Sequence, residues 1–155
     1  MRDIRRSSPT AGRGRRGNAL VEFAVGSGVL MAGFTGAFQF GYSFLQYNKL
    51  EAAVSRGARY ASLVPYDSLS TTPSAAFQTA VQNMVVYGSP TAGTTPVLKD
   101  LTTSNVNLTV GFTNGVPDTM TVNITGFSIN AIFATTSLTN KPRVTFSYQG
   151  IWSPI

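Results

Sequence analysis

The chain has 155 residues, which is enough for one domain of ordinary size and an additional segment. It contains neither cysteine nor histidine, which excludes disulfide bonds, thiol nucleophiles, histidine acid–base catalysis and a conventional zinc site. The formal charge of +6 is concentrated at the N-terminus, because residues 1–16 contain six arginines and a single acidic side chain. The high isoelectric point therefore describes a tail and says little about the rest of the chain.

An arginine-rich tail has two interpretations. It is either a disordered arm that binds nucleic acid through phosphate contacts, or a cytoplasmic anchor that precedes a membrane helix. The apolar segment begins two residues after the last arginine, which favours the second interpretation. Three arginines close to that segment are then expected to fix the topology of the membrane helix: Arg13, Arg15 and Arg16. Nucleic acid is not expected as a partner.

The apolar segment from Phe23 to Asn48 contains no charged residue over 26 positions. About 20 apolar residues in a helix cross the hydrocarbon core of a bilayer, so this segment is long enough. A secretory signal peptide is the alternative, but the stretch is too long and no convincing cleavage site follows it. We therefore predict a basic cytoplasmic leader at 1–17, a transmembrane helix at 18–48 and a periplasmic domain at 49–155.

Small residues recur at four-residue spacing within the apolar segment. On a helix such a row lets a second helix approach closely, as in small-xxx-small packing inside membranes. The alternative is that the glycines only lower helix stability. A second, neighbouring row favours a helix-packing surface; the first row is Ala24, Gly28, Ala32 and Gly36, and the second is Gly33, Ala37 and Gly41.

The helical pattern continues beyond Asn48 as an amphipathic segment that ends before Pro65. If residues 18–63 form one helix, its length is roughly 70 Å at 1.5 Å per residue. Arg56 and Arg59 either bind partners or lie on a solvated face while Tyr60 packs on a sheet, and the second is favoured. The apolar side consists of Leu50, Val54, Ala58 and Ala61.

The rest of the chain predicts a short helix at about 74–87, stopped by Gly88, and a β-rich part at 97–152. Alternation predicts one strand from Val106 to Phe112 and a returning strand through Met120, Val122 and Ile124. The Asn114-Gly115 pair between them is a hairpin signal. Residues 129–138 are ambiguous between strand and loop, and a closing strand is expected through Val144, Phe146 and Tyr148. The predicted fold class is α+β.

Two stretches carry a family resemblance: RRGNALVEFAV at 15–25 and FGYSFLQYNKLEAAVSRGARYAS at 40–62. Residues 14–63 resemble the TadE-like family of pilin-related proteins from tight-adherence (Flp-type) pilus systems. The resemblance implies that a membrane prepilin peptidase cuts between Gly17 and Asn18. Glu22, beside Phe23, is then the fifth residue of the mature chain. The family commonly has a proline early in the apolar segment and often a glutamate where this chain has Gln39.

Each position of this motif has a physical reason. Gly17 lacks a side chain, so an extended backbone fits tightly into a protease cleft. Glu22 lies about 6 Å along a helix from the new α-amino group and is expected to pair with that group on a neighbouring subunit. The alternative is a carboxylate at the membrane interface, close to headgroup water.

The resemblance implies a minor pseudopilin that takes part in pilus assembly, with no cofactor and with its β-rich domain in the periplasm. The implied partners are the prepilin peptidase, the major Flp pilin, other minor pseudopilins and the inner-membrane assembly platform. An uncleaved single-pass membrane protein with a periplasmic binding module is the alternative. An enzyme is not expected, because the carboxylates outside the anchor form no recognisable pair and the serines lack a histidine base.

Overall fold

The computed structural model describes residues 13–131 and 133–154, with side chains from Gly17 onwards. The α+β fold predicted from the sequence is confirmed, with a long apolar N-terminal helix, a short second helix and a three-stranded antiparallel sheet in the order β1-β2-β3. A short 3-10 turn, Thr103–Asn105, precedes the sheet. The helices and strands are α1 (Arg13–Leu63), α2 (Ala75–Tyr87), β1 (Val106–Thr113), β2 (Val116–Asn130) and β3 (Thr135–Ser147).

Helix α1 is a single element of 51 residues that begins at Arg13, five residues before the predicted start. It ends at Leu63 because Val64 precedes Pro65 and is thereby disfavoured from the α conformation. The chain divides into two compact units between Phe38 and Gln39. The last 25 residues of α1 belong to the second unit.

The core of the second unit lies between α1, α2 and one face of the sheet. The predicted apolar side of α1 is fully buried in this core at Leu50, Val54, Ala58 and Ala61. Helix α2 crosses α1 at Gly57, where a Cβ atom would overlap the Cγ2 atom of Val85. Sequence reasoning missed this role of Gly57, whose lack of a side chain lets the two helices approach closely.

Both ends of α2 are capped, and the predicted stop at Gly88 is confirmed. The Ser74 hydroxyl accepts a hydrogen bond from the Phe77 backbone N–H at 3.1 Å and donates one to the Asp67 carboxylate. At the other end, Gly88 adopts a left-handed conformation with φ of 74°, and its N–H donates to the carbonyl of Met84. The loop before α2 is therefore tied to the helix through Ser74.

The sheet is an antiparallel meander whose first turn is the predicted Asn114-Gly115 hairpin, with both residues at positive φ. Gly126, with φ of 65°, lies at a break in the β2–β3 register. The break changes which positions face the core, from even-numbered to odd-numbered residues. The residues of β2 that contribute to the hydrophobic core are Met120, Val122 and Ile124 before the break, then Phe127 and Ile129 after it.

The ambiguous segment at 129–138 contains the end of β2, a turn and the start of β3. The closing strand begins at Thr135 and ends at Ser147, so Tyr148 lies just outside it rather than continuing its alternation. Val144 is half-buried against the core and Phe146 is exposed. Strand β3 is an edge strand, and its exposed Thr, Ser and Lys side chains are typical of a protected edge.

The C-terminal segment returns to the end of α1 and is fastened there by Tyr148. The hydroxyl of Tyr148 accepts a hydrogen bond from the Tyr66 N–H at 2.7 Å and lies within hydrogen-bond distance of the Val64 and Ile151 carbonyls. Gly150 leaves room for this arrangement, since a Cβ atom there would lie 2.7 Å from the tyrosine oxygen. Burial raises the pKa of both Tyr66 and Tyr148 above the ordinary value near 10.

Gly57→Ala tests the helix crossing. The added methyl group overlaps Val85, so we expect the free energy of unfolding to fall by about 1–3 kcal/mol. Denaturant unfolding in detergent micelles measures it. In a Val85→Ala background the methyl group finds space, so Gly57→Ala then has a smaller effect. Strictly additive effects of the two substitutions would contradict the close contact.

The two tyrosines predict an alkaline loss of stability. Below about pH 10 both the folded and unfolded states keep the phenolic protons, and above it the unfolded state releases them first because its pKa values are lower. The free energy of unfolding should therefore fall as the pH rises from about 10 through the raised folded-state pKa values. Denaturant titrations between pH 8 and pH 11 measure the slope, and Tyr66→Phe should reduce it. A profile that stays flat to pH 11 would rule this out.

Candidate functional site

The part of α1 from Gly17 to Phe38 is apolar and uncovered. Leaving a large apolar side chain in water rather than burying it costs about 1.5–3 kcal/mol. Helix α1 is long and apolar enough to cross a membrane, and none of its most apolar stretch is buried by the protein. These properties are consistent with a single-pass membrane anchor. More than half of the surface is exposed for Leu20, Val21, Phe23, Val25, Val29, Leu30, Met31, Phe34 and Phe38.

The predicted processing residues Gly17, Asn18, Glu22 and Phe23 all lie at the start of this uncovered stretch, and all four are exposed. Gly17 is helical, and within the described residues no atom beyond the backbone of its own helix lies within 4 Å of the position that a Cβ atom would occupy. Glu22 follows Asn18 by four residues, which is about 6 Å along the helix. The backbone of Arg13, Arg15 and Arg16 belongs to α1, but their side chains lie outside the described part of the chain.

The small residues of the apolar segment make no close contact that would explain them within the described chain. At Gly28, Gly33, Gly36 and Gly41 a Cβ atom would meet nothing within 4 Å. Gly57 is different, because Val85 occupies the space that its missing side chain leaves. The row Ala24, Gly28, Ala32 and Gly36 is exposed throughout and is accessible to another helix.

Gln39 is the first residue of the second unit and binds the turn between β2 and β3. Its Nε2 atom donates a hydrogen bond to the Ala134 carbonyl at 3.1 Å, and its Oε1 atom accepts one from the Phe133 N–H at 2.9 Å. The Ala131 N–H also donates to the Ala134 carbonyl at 3.0 Å. A lone amide in an otherwise apolar run is the sequence signal for such a partner, but the sequence alone does not show which backbone it binds.

Just beyond Gln39, one side of α1 faces the domain, and the opposite side is apolar and exposed as far as Leu45. Phe40 and Phe44 stack on the exposed side, with ring centroids 6.3 Å apart. On the domain side, Gln46 donates a hydrogen bond to the Tyr42 hydroxyl at 2.9 Å. These two residues line a groove of about 240 Å³, together with Leu98, Lys99, Asp100 and the end of β2 from Phe127 to Asn130.

Arg56 and Arg59 are exposed, whereas Tyr60 is half-buried and packs against the core. The Arg56 guanidinium lies near Gly88 at the C-terminal end of α2, where a positive charge is favourable to the helix dipole. This arrangement agrees with a solvated basic face that carries a packed tyrosine.

The family model described as TadE-like protein matches residues 17–59. This segment is TadE-like. The match starts at Gly17 and runs through the uncovered apolar stretch to Arg59, so the resemblance predicted from the sequence is confirmed there. The match covers 43 residues, which is fewer than a third of the chain. No curated protein and no solved structure matches the chain.

Gln39→Glu tests the contact with the β2–β3 turn. A carboxylate cannot donate to the Ala134 carbonyl, so the turn should lose about 1–2 kcal/mol of local stability. Such a loss speeds hydrogen exchange in the turn by roughly 5- to 30-fold. Exchange measured by mass spectrometry on the segment that contains Phe133 and Ala134 reports this change.

The matched control is Gln46→Glu, which makes the same chemical change two turns further along α1. Its Nε2 atom bonds the Tyr42 hydroxyl and does not touch the turn, so exchange in the turn should stay as in the unaltered chain. Equal exchange rates in both variants would show that Gln39 does not hold the turn.

Proposed function

We propose that the protein is a minor pseudopilin that takes part in the assembly of a Flp-type, tight-adherence pilus. The observation that carries the proposal is the coincidence of the TadE-like match, which begins at Gly17, with an apolar helix that the protein itself leaves uncovered. A helix of this kind requires a membrane before assembly, and neighbouring helices afterwards.

In this proposal a prepilin peptidase removes residues 1–17 at the cytoplasmic face of the inner membrane. Helix α1 runs through Gly17, so its first turns unwind for cleavage. Unwinding is inexpensive there, because the first turns of a helix lack internal partners and glycine favours the unfolded backbone. The exposed position of Gly17 leaves its backbone accessible to a protease.

Cleavage gives Glu22 its function in this proposal. The new α-ammonium group of Asn18 is a cation at the end of an apolar helix, and the Glu22 carboxylate is an anion about 6 Å along it. In a bundle of such helices each charge is costly unless it is paired, so pairing between subunits sets their axial register. The two rows of small residues then let the neighbouring helices approach closely.

The partners in this proposal are the prepilin peptidase, the major Flp pilin, other minor pseudopilins and the inner-membrane assembly platform. The second unit is held in the periplasm, and the role is structural rather than enzymatic. The continuity of α1 across Gly17 also fits the second candidate, an uncleaved single-pass membrane protein that presents a periplasmic binding module.

Intact mass and N-terminal sequence of the membrane-extracted protein distinguish the two candidates. From cells with the peptidase we expect a chain that starts at Asn18, and from cells without it a chain that retains residues 1–17. Gly17→Val should block cleavage, because a branched side chain replaces the bare backbone. The matched control is Gly26→Val, another open helical glycine, which should leave processing intact. A chain that begins at Met1 in both strains would refute the pseudopilin proposal.

A further inference from the structure

We propose that the turn between β2 and β3 is a membrane contact, which places Phe133 at the outer boundary of the lipid bilayer beside Gln39. The described residues of the turn are Ala131, Phe133 and Ala134, and the side chain of Phe133 is 68% exposed. The inference rests on α1 being a membrane anchor and is independent of cleavage after Gly17.

The position of Gln39 along α1 determines how deep the turn between β2 and β3 lies in the bilayer. A hydrocarbon core takes about 20 helical residues, so a span that begins at Ala19 ends at Phe38 and one that begins at Phe23 ends at Tyr42. Gln39 falls between these two limits. The turn that Gln39 binds is therefore level with the boundary between acyl chains and headgroups.

The hydrogen bonds of the turn suit this depth. Non-helical backbone is tolerated near lipid only when its polar groups are paired within the protein. Gln39 provides both an acceptor for the Phe133 N–H and a donor for the Ala134 carbonyl, which also accepts from the Ala131 N–H. These bonds pair three backbone groups of the turn, the N–H groups of Ala131 and Phe133 and the carbonyl of Ala134, beside the exposed apolar ring of Phe133.

Neighbouring aromatic residues extend the same band. Phe38, Phe40 and Phe44 are exposed on α1 within five residues of Gln39, and the last two stack on each other. Phenylalanine side chains at this level enter the boundary between headgroups and acyl chains, as on the apolar face of interfacial helices. The turn adds a further ring to the band from a different part of the chain.

The side chains become more polar with distance from the tip of the turn, as expected for a segment at a membrane boundary. The groove next to the turn is lined by polar and charged side chains that include Gln46, Asn130 and the oppositely charged Lys99 and Asp100. An apolar tip followed by a polar, charged groove is the order of groups from acyl chains through headgroups to water.

Spin labels test the contact directly. The chain has no cysteine, so Phe133→Cys and Val116→Cys each give one labelling site on an exposed side chain without further substitutions. Val116 is the matched control, because it lies at the opposite end of β2, at most about 46 Å away at 3.3 Å per residue. The full chain is reconstituted in phosphatidylethanolamine–phosphatidylglycerol vesicles at a low protein-to-lipid ratio.

Collision rates of each label with oxygen, which concentrates in lipid, and with a water-soluble nickel chelate give the result. We expect the oxygen-to-nickel ratio at position 133 to be severalfold higher than at position 116. Adding Gln39→Glu should lower the ratio at 133 towards that of the control, because the turn is released. Equal ratios at 133 and 116 would overturn the proposal. Dipolar broadening between labels at 133 that persists on dilution with lipid would also overturn it, since a second copy would then cover the turn.

Discussion

Helix α1 is shared between two environments, and this constraint governs the rest of the molecule. Its first part has no cover from the protein, while its last turns form one wall of the core. The same helix must therefore be apolar on all sides at one end and on a single side at the other. The second unit starts at Gln39 because there the chain first supplies partners for one side of α1.

Close backbone approach explains three glycines of the second unit, while Gly88, Gly115 and Gly126 are at positive φ. Gly57 lets α1 and α2 touch, Gly111 accommodates the Thr119 side chain from the adjacent strand, and Gly150 makes room for the Tyr148 hydroxyl. In the first unit the glycines have no such neighbours within the described chain. The same residue type thus serves intramolecular packing in one unit and leaves a smooth exposed helix surface in the other.

Much of the fold was predictable because its signals are local. The period of α1, the serine and glycine caps of α2 and the Asn-Gly hairpin depend on neighbouring residues only. The register break at Gly126 was not predicted, although a glycine inside an alternating strand is a signal for a bulge. The segment at 129–138 was ambiguous because the partner that orders its turn, Gln39, lies more than 90 residues earlier in the sequence.

The candidate site was also predictable only where its signals lie in contiguous sequence. The resemblance in residues 14–63 was confirmed for residues 17–59, because its motif lies in contiguous sequence. The residues of that motif are exposed within the described part of the chain, and the groups they are proposed to meet belong to other molecules. The roles of Gln39 and Gly57 became visible only from tertiary contacts, which a pattern of spacing does not contain.

The return of the C-terminal segment to the end of α1 has a mechanical consequence. Tyr66 and Trp152 form a parallel bridge, and the Ser153 N–H donates to the Tyr66 carbonyl. Trp152 also donates from its indole N–H to the Ser68 carbonyl at 3.0 Å. Tension applied between the anchor and the C-terminus therefore runs from α1 directly into this parallel pairing, where the bonds are loaded together in shear. The sheet and α2 lie outside that load path and stay folded while the pairing holds.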